Sequence, residues 1–90
     1  MATLRIRDDV VYREVDDVIV AFSLDTGEYV ALDTIGTDLW RFIEEDGRIG
    51  TIRNRMLASY EIDEASCDEE LNHFVAMLTA RRLVTVDAQE

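Results

Sequence analysis

Two side chains in this sequence have the chemistry of a nucleophile or a metal ligand: Cys67 and His73, each the one residue of its type. A structural zinc site takes about four Cys or His ligands, so this pair alone is too small to form one. A cysteine nucleophile needs a base beside it, and positions 67 and 73 lie on different faces of a helix. The sequence therefore predicts no catalytic residues, no metal site, no cofactor and no enzyme activity. We expect Cys67 to be a thiol at the surface or at a helix start, without a role.

Acidic side chains dominate the charge of the chain. Asp and Glu number 20 against 9 Lys and Arg, which gives a formal net charge of -11 at pH 7. Nucleic-acid binders neutralise phosphates with clustered basic side chains, and an acidic surface is repelled by anionic membranes. The charge therefore disfavours nucleic-acid and membrane partners and favours neutral or basic ones. It is equally compatible with acids that only keep a small domain soluble.

The length of 90 residues fits one small domain, which we assign to residues 1–90. Hydrophobic residues make up 48% of the chain, as in a globular protein. No apolar run approaches the ~20 residues of a membrane span, and the N-terminus lacks the apolar core of a signal peptide. A cytoplasmic location is the resulting expectation. A monomer and a weak homodimer both stay open.

The first third of the chain has the pattern of three antiparallel strands. β-Branched and aromatic residues are concentrated at 10–15, 18–24 and 28–33, and an Asp-Thr-Gly turn at 25–27 joins the last two segments. Large apolar side chains of the second segment alternate and therefore share one face of the sheet. They are Val18, Val20, Phe22 and Leu24.

The following residues predict three helices. Thr37 and Thr51 are the candidate N-caps of the first two helices, which extend to about residues 45 and 60. Ser66, with Glu69 three residues later, matches a capping box for a third helix that ends near Arg81. Trp40, in the first helix, is assigned to the core.

Two short β-prone segments near the ends of the chain, residues 3–6 and 83–86, have no other predicted partner. We expect them to pair with each other. The predicted fold class is therefore α+β, with a three-stranded antiparallel sheet followed by three helices and a short terminal strand.

Several short motifs resemble the PqqD-like family in their order and spacing, which cover residues 10–86. They are Thr26-Gly27-x-Tyr29-x-x-Leu32-Asp33, Gly36 followed by Trp40, Tyr60-Glu61-Ile62-Asp63, and Phe74-x-x-x-Leu78 followed by Leu83-Val84. The sequence departs from the family at Arg82, where many members have glycine. Members attached to lasso-peptide clusters show the same departure.

The resemblance implies a winged-helix-like fold and a stand-alone recognition element for ribosomally synthesised and post-translationally modified peptides (RiPPs). In this family, the leader segment of a precursor peptide adds to the third strand, the third helix forms the other wall of the groove, and partner enzymes receive the peptide. The family pattern points to a leader protease and a cyclase of lasso-peptide biosynthesis. One alternative is a PqqD-type peptide chaperone for a radical-SAM or other RiPP-modifying enzyme. Another is a winged-helix nucleic-acid binder, which the charge disfavours.

An added strand gains main-chain hydrogen bonds without sequence preference, so side-chain pockets must supply specificity. On the third strand, Tyr29 and Ala31 face one side and Val30 the other, so that one set packs under the helices and the other helps to shape the groove. A second stripe on the third helix lies beside its core stripe. The candidate peptide-binding residues are Glu28, Tyr29, Val30, Ala31, Leu32, Asp33, Glu70, His73, Phe74, Met77 and Arg81. Two alternatives stay open. In one, Phe74 and Met77 are ordinary core residues. In the other, the acidic residues only complement the helix dipole and keep the domain soluble.

Overall fold

The structure, a computed structural model, describes residues 2–88. Its elements in chain order are β1 (Ala2–Ile6), β2 (Val10–Val15), β3 (Val18–Ser23), β4 (Glu28–Ala31), α1 (Thr34–Glu45), α2 (Ile49–Ser59), α3 (Glu64–Ala80) and β5 (Val84–Ala88). Strands β2, β3 and β4 form one antiparallel sheet in that order, and β1 pairs with β5 in a second, two-stranded sheet. The predicted α+β class is confirmed, as are the three-stranded sheet, the three helices and the pairing of the two end segments.

Two tight turns join the strands of the three-stranded sheet. Asp16 and Asp17 have φ angles of 52° and 69°, and a two-residue type I′ turn requires such positive values at both positions. In the second turn, Gly27 has a φ of 73° and its N–H donates to the carbonyl of Ser23 at 2.8 Å. Leu24 was expected to continue the apolar face of β3. It lies instead in this turn, 62% exposed, because the strand ends at Ser23.

The helices cover one face of the sheet, which we call the inner face. Ile19 and Ala21 of β3 point to it and are 5% and 0% exposed. Trp40 of α1 is fully buried, as predicted, and its ring centroid lies 5.1 Å from that of Tyr12, the residue opposite Ala21. The remaining buried apolar residues form one core: Leu4, Val10, Leu32, Leu39, Phe42, Ile43, Ile52, Met56, Cys67, Leu71, Leu78, Leu83 and Val84.

Helix α1 begins earlier than the sequence predicted. Its N-cap is Asp33, whose side chain accepts a hydrogen bond from Gly36 N at 2.7 Å, so the prediction of Thr37 as the cap is wrong. Thr37 is buried, and its hydroxyl accepts a hydrogen bond from Ile19 N at 2.9 Å. An aspartate in extended backbone just before the first turn is at least as good a cap as threonine. Since Asp33 is used in this way, β4 ends at Ala31, before the predicted boundary.

Helices α2 and α3 also begin earlier than predicted. Thr51 is not an N-cap, because it lies inside the first turn of α2. At the start of α3, Asp63 accepts a hydrogen bond from Ser66 N at 2.7 Å, and so the capping box predicted at Ser66 is wrong. The two residues before each predicted cap, Ile49-Gly50 in α2 and Glu64-Ala65 in α3, are already helical. The longer helices satisfy more backbone hydrogen-bonding groups.

The last helix ends without glycine, as the sequence required. Arg82 adopts a left-handed φ of 59°, and the N–H of Leu83 donates to the carbonyl of Leu78 at 2.9 Å. This six-residue closure is the hydrogen bond of a Schellman motif. It directs the chain into β5, which pairs with β1 in a register that places Val84 opposite Ile6.

Candidate functional site

The outer edge of β4 has backbone groups without a strand partner among residues 2–88. In an antiparallel pair, hydrogen-bonded and non-hydrogen-bonded positions alternate. Because Leu32 N donates to the carbonyl of Ile19 at 2.8 Å, the N–H and C=O groups of Val30 also point toward β3. Tyr29 and Ala31 occupy the alternate positions, so their N–H and C=O groups point away from the sheet. These four groups form a short open edge that another extended chain can join.

A groove of about 220 Å³ continues from the end of β4, between the start of α1 and one side of α3. Its lining is largely apolar, with carboxylates and an imidazole among the apolar side chains. The lining residues are Asp33, Ile35, Gly36, Leu39, Glu70, His73, Phe74 and Met77. Helix α3 packs mainly against α2 and β5, which leaves its stripe from Glu70 to Met77 available to the groove.

The small size of Gly36 sets the width of the groove. A Cβ atom at this position would lie 3.3 Å from Phe74 Cε1 and 3.3 Å from Leu32 Cβ. It would also lie 3.1 Å from the Asp33 oxygen that caps α1. The glycine therefore allows the first turn of α1 to approach the Phe74 ring without a side chain between them.

Tyr60 holds α1 at Asp38, about one turn after Ile35, which borders the groove. Its hydroxyl donates a hydrogen bond to a carboxylate oxygen of Asp38. Burial of the phenol, and secondly the neighbouring Asp38 carboxylate, raise the pKa of Tyr60 to about 12. The phenol therefore stays protonated at neutral pH and acts as a hydrogen-bond donor that holds the segment after α2 against α1.

The two ends of the groove region differ in charge. Asp33 and Glu70 lie at the end near α1, and both are exposed. Arg81 lies at the opposite end, where its Nη1 atom is 3.8 Å from Oε1 of Glu28. Helix α3 and strand β4 thus place an acidic pair at one end and an arginine, loosely paired with a glutamate, at the other.

The face of the sheet opposite the helices, which we call the outer face, carries exposed apolar side chains. Val11, Val15 and Tyr29 are exposed and Val20 and Phe22 are half-buried. With Tyr12 and Arg13 they line a shallow concavity of about 530 Å³. Tyr29 is 72% exposed and Val11 is 60% exposed. The rings of Phe22 and Tyr29 pack together with their centroids 4.6 Å apart. The outer face therefore extends as far as the open edge of β4.

The structure brings together five of the eleven candidate residues around the groove: Asp33, Glu70, His73, Phe74 and Met77. Phe74 and Met77 are half-buried and contact the core as well. Glu28 and Arg81 meet at the far end. The remaining four lie along β4 and just after it, where Tyr29 and Ala31 are on the outer face, Val30 is half-buried and Leu32 is in the core.

Three residues of the groove were not among the candidates. Leu39 lines the groove although it is only 2% exposed and belongs to the core as well. Ile35 and Gly36 were placed before the predicted helix start. With the cap at Asp33, they become part of the first turn of α1, and Ile35 is left 46% exposed at the groove. The signal that could have identified them is Asp33 itself, an N-cap residue directly after an apolar strand.

The side chains that line the groove provide apolar and polar groups that can bind a ligand. Cys67 is buried, which corrects the expected surface position, and burial raises the pKa of its thiol. Within residues 2–88, no group of three or more His, Cys, Asp and Glu side chains is arranged to hold a metal ion. No helix in the same range is long and apolar enough to cross a membrane.

The fold and the open strand beside a helical groove define a small α+β domain of known type. A solved structure of TbiB1 in complex with the TbiA(beta) leader peptide is 32% identical to this chain, with a TM-score of 0.86, and the match covers 94% of this chain and 99% of that one. A structure of lasso peptide synthetase B1 complexed with the leader peptide has a TM-score of 0.81 at 15% identity, covers 92% of this chain and 98% of that one, and supports the fold.

The family follows from the sequence match. The family described as Coenzyme PQQ synthesis protein D (PqqD) matches residues 18–84, and the chain belongs to this family. The resemblance identified from the Thr26-Gly27 and Gly36 motifs is therefore confirmed. A comparison with curated proteins gave no match.

Proposed function

We propose that this chain binds the leader segment of a ribosomally synthesised precursor peptide by β-strand addition to β4. The observation that carries the proposal is the open edge formed by Tyr29 and Ala31 beside the apolar groove of α3. A strand added there gains main-chain hydrogen bonds, and alternate side chains enter the groove. The 32% identical TbiB1 structure, which holds the TbiA(beta) leader peptide, supports the same role for this chain.

The dimensions of the site suit a short extended segment. The stretch from Glu28 to Asp33 spans about 16 Å at ~3.3 Å per strand residue. The stretch from Glu70 to Arg81 spans about the same length at ~1.5 Å per helix residue. The two walls therefore match, and about five residues of an extended leader fit between them. Phe74 and Met77 provide adaptable apolar contacts for the side chains that point inward.

Leader binding is tested by fluorescence anisotropy with labelled synthetic leaders, one for each precursor gene found near the gene of this protein. We expect a micromolar or lower Kd. Phe74→Ala should weaken binding by about tenfold, since it removes a half-buried aromatic contact. Glu70→Lys should change the affinity less, because Glu70 is exposed. Val15→Ala, on the opposite edge of the sheet, is the matched control and should bind like the wild type. Failure of every such leader to bind would refute the proposal.

The outer face supports a second contact, with the enzyme that receives the leader. Contiguous exposed apolar side chains of this kind mark interaction surfaces. A leader strand on β4 would place its outward side chains beside Tyr29, so an enzyme could contact the leader and the sheet together. We infer that the partners are the leader protease and cyclase of a lasso-peptide system. The protein itself acts without catalysis in this scheme.

Leader processing by the protease separates the two contacts. Val11→Ser should slow cleavage of the precursor several-fold while the Kd for the leader changes little, because Val11 is exposed on the outer face but lies on β2, away from the edge of β4 that binds the leader. Phe74→Ala should instead slow cleavage only through weaker leader binding. A higher concentration of the Phe74→Ala protein should therefore restore the rate. Equal cleavage rates for Val11→Ser and wild type would exclude the outer face as the enzyme contact.

A PqqD-type chaperone for a radical-SAM or other modifying enzyme is the alternative partner assignment, and the family match supports it. A pull-down that retains a radical-SAM enzyme, and neither protease nor cyclase, would select this alternative. The single domain of residues 1–90, the cytoplasmic location and the choice between monomer and weak homodimer stay predictions.

A further inference from the structure

We propose that the charge difference between the two ends of the groove fixes the direction of the bound leader. The leader carries an acidic side chain that pairs with Arg81 and, about four residues away, a basic side chain near Asp33 and Glu70. This inference rests on the proposed leader binding and adds the chemical pattern of the segment that is bound.

Arg81 is the cationic anchor of this pattern. It is the one arginine or lysine among the eleven candidate residues, in a chain of net charge -11. Its side chain is 51% exposed and lies at the end of α3, beside Glu28 at the start of β4. A carboxylate on an added strand would meet Arg81 in a position that the strand itself partly shields from solvent, which strengthens the pairing.

Glu28 occupies the position that the leader carboxylate would take. Its Oε1 atom lies 3.8 Å from Arg81 Nη1, and the two side chains are 61% and 51% exposed. Exposed pairs of this length contribute little to stability, so exchange of Glu28 for a leader carboxylate has a small cost. Glu28 therefore pairs only loosely with Arg81 in the free protein and is readily displaced.

The other end of the groove disfavours an acidic side chain. Asp33 and Glu70 both border the apolar lining there, and a third carboxylate beside them would be repelled. Side chains that point to the same face of a strand recur at every second residue, so two groups four residues apart are separated by about 13 Å. This spacing fits the two walls of the site, each about 16 Å long, with one charged leader residue near each end.

The neighbouring arginine provides a matched control. Arg82 carries the same charge one residue later, but its Nη1 atom lies 3.4 Å from Asp25, outside the set of groove residues. It has a left-handed φ of 59°, which glutamate tolerates no worse than arginine. Arg81→Glu and Arg82→Glu therefore change the net charge equally, and differ in their distance from the groove.

The test measures the Kd of the neighbouring gene's synthetic leader, and of variants in which each acidic residue in turn is replaced by lysine. We expect one of these lysine variants to bind the wild-type protein about five- to tenfold more weakly than the unchanged leader does. Arg81→Glu should weaken binding of the unchanged leader similarly and should restore binding of that one lysine variant. Arg82→Glu should do neither. Arg81→Gln, which removes the charge without reversing it, should give an intermediate Kd.

The outcomes separate this inference from the proposed function. If the unchanged leader binds wild type, but no lysine variant is rescued by Arg81→Glu, the charge pattern is wrong and leader binding stands. If Arg81→Glu and Arg82→Glu weaken binding equally, the effect is one of net charge and the pattern is again wrong. If the unchanged leader does not bind at all, the proposed function fails. Circular dichroism of each variant confirms that the fold is retained.

Discussion

On the three-stranded sheet, two small side chains are fully buried on the inner face, while larger apolar side chains lie on the outer face. The inner face, under the helices, holds Ala21 and Ser23 at 0% and 1% exposure. The outer face holds the larger Phe22 and the 72% exposed Tyr29. The small Ala21 and Ser23 allow α1 to lie close to the sheet beside Ile19, whereas Phe22 and Tyr29 lie on the outer face. The comparison shows that β3 has apolar residues on both faces, one in the core and the other on the proposed contact for a partner.

Hydrogen bonds explain which face the helices cover. The backbone of Ile19 is held on both sides, because its N–H donates to the Thr37 hydroxyl and its carbonyl accepts from Leu32 N. Asp33 caps α1 immediately after β4. These bonds attach α1 to the start of β3 and direct it across the inner face. The connection between strand and helix therefore determines which of two apolar faces is buried.

The largest expected difference between the faces is in stability. Ile19→Ala removes a side chain that is 5% exposed and should lower the free energy of unfolding by about 2–4 kcal/mol. Val20→Ala, the adjacent residue on the outer face, should cost about 1 kcal/mol or less, since that side chain is only half-buried. Urea unfolding followed by circular dichroism measures both. Equal losses would mean that the outer face is buried in solution, for example in a dimer.

A smaller effect is expected for the bond that selects the inner face. Thr37→Val keeps the shape of the side chain but leaves Ile19 N–H buried without its acceptor, which should cost about 1–3 kcal/mol. Thr37→Ser retains a hydroxyl and is the control, with a smaller loss. Denaturant titration of the two variants gives the difference. A Thr37→Val protein as stable as Thr37→Ser would show that the hydroxyl does not hold α1 to the sheet.

Sequence patterns were sufficient for elements whose signals are local. The alternation in β3 and the glycine turn at Gly27 predicted the hairpin, and the unpartnered end segments predicted the β1–β5 pair. Helix starts were predicted less well, since Asp33, Thr37, Asp63 and Ser66 are all capable caps and propensity alone does not rank them. The choice depends on tertiary contacts, such as the bond between Thr37 and Ile19.

The site was predicted in part for the same reason. The stripe of Phe74 and Met77 follows from helical spacing, and the groove lies beside it. Ile35 and Gly36 were missed because they join the groove only when α1 starts at its true position. The exposure of the outer face could not be predicted, because a period of two identifies two faces of a strand without indicating which one the helices cover.

The smallest expected effect concerns pH and the caps that hold the helices on the inner face. Hydrogen bonds from Ser66 lower the pKa of Asp63 at the start of α3, and hydrogen bonds from Arg48 lower that of Asp46, after α1, to about 2. A depressed folded pKa stabilises the protein above the unfolded value of 3.8, and that stability is lost as pH falls through the folded value.

Stability should therefore decline from about pH 4 toward pH 2. Asp63→Asn and Asp46→Asn should each flatten this decline, because asparagine can still accept a hydrogen bond but does not titrate. Val20→Ala should leave the slope unchanged, since the outer face has no helix cap to lose. Thermal melts between pH 2 and 7 measure the slope. An unaltered slope in both asparagine variants would place the acid sensitivity in other carboxylates, and an altered slope in Val20→Ala would mean that the two faces are coupled.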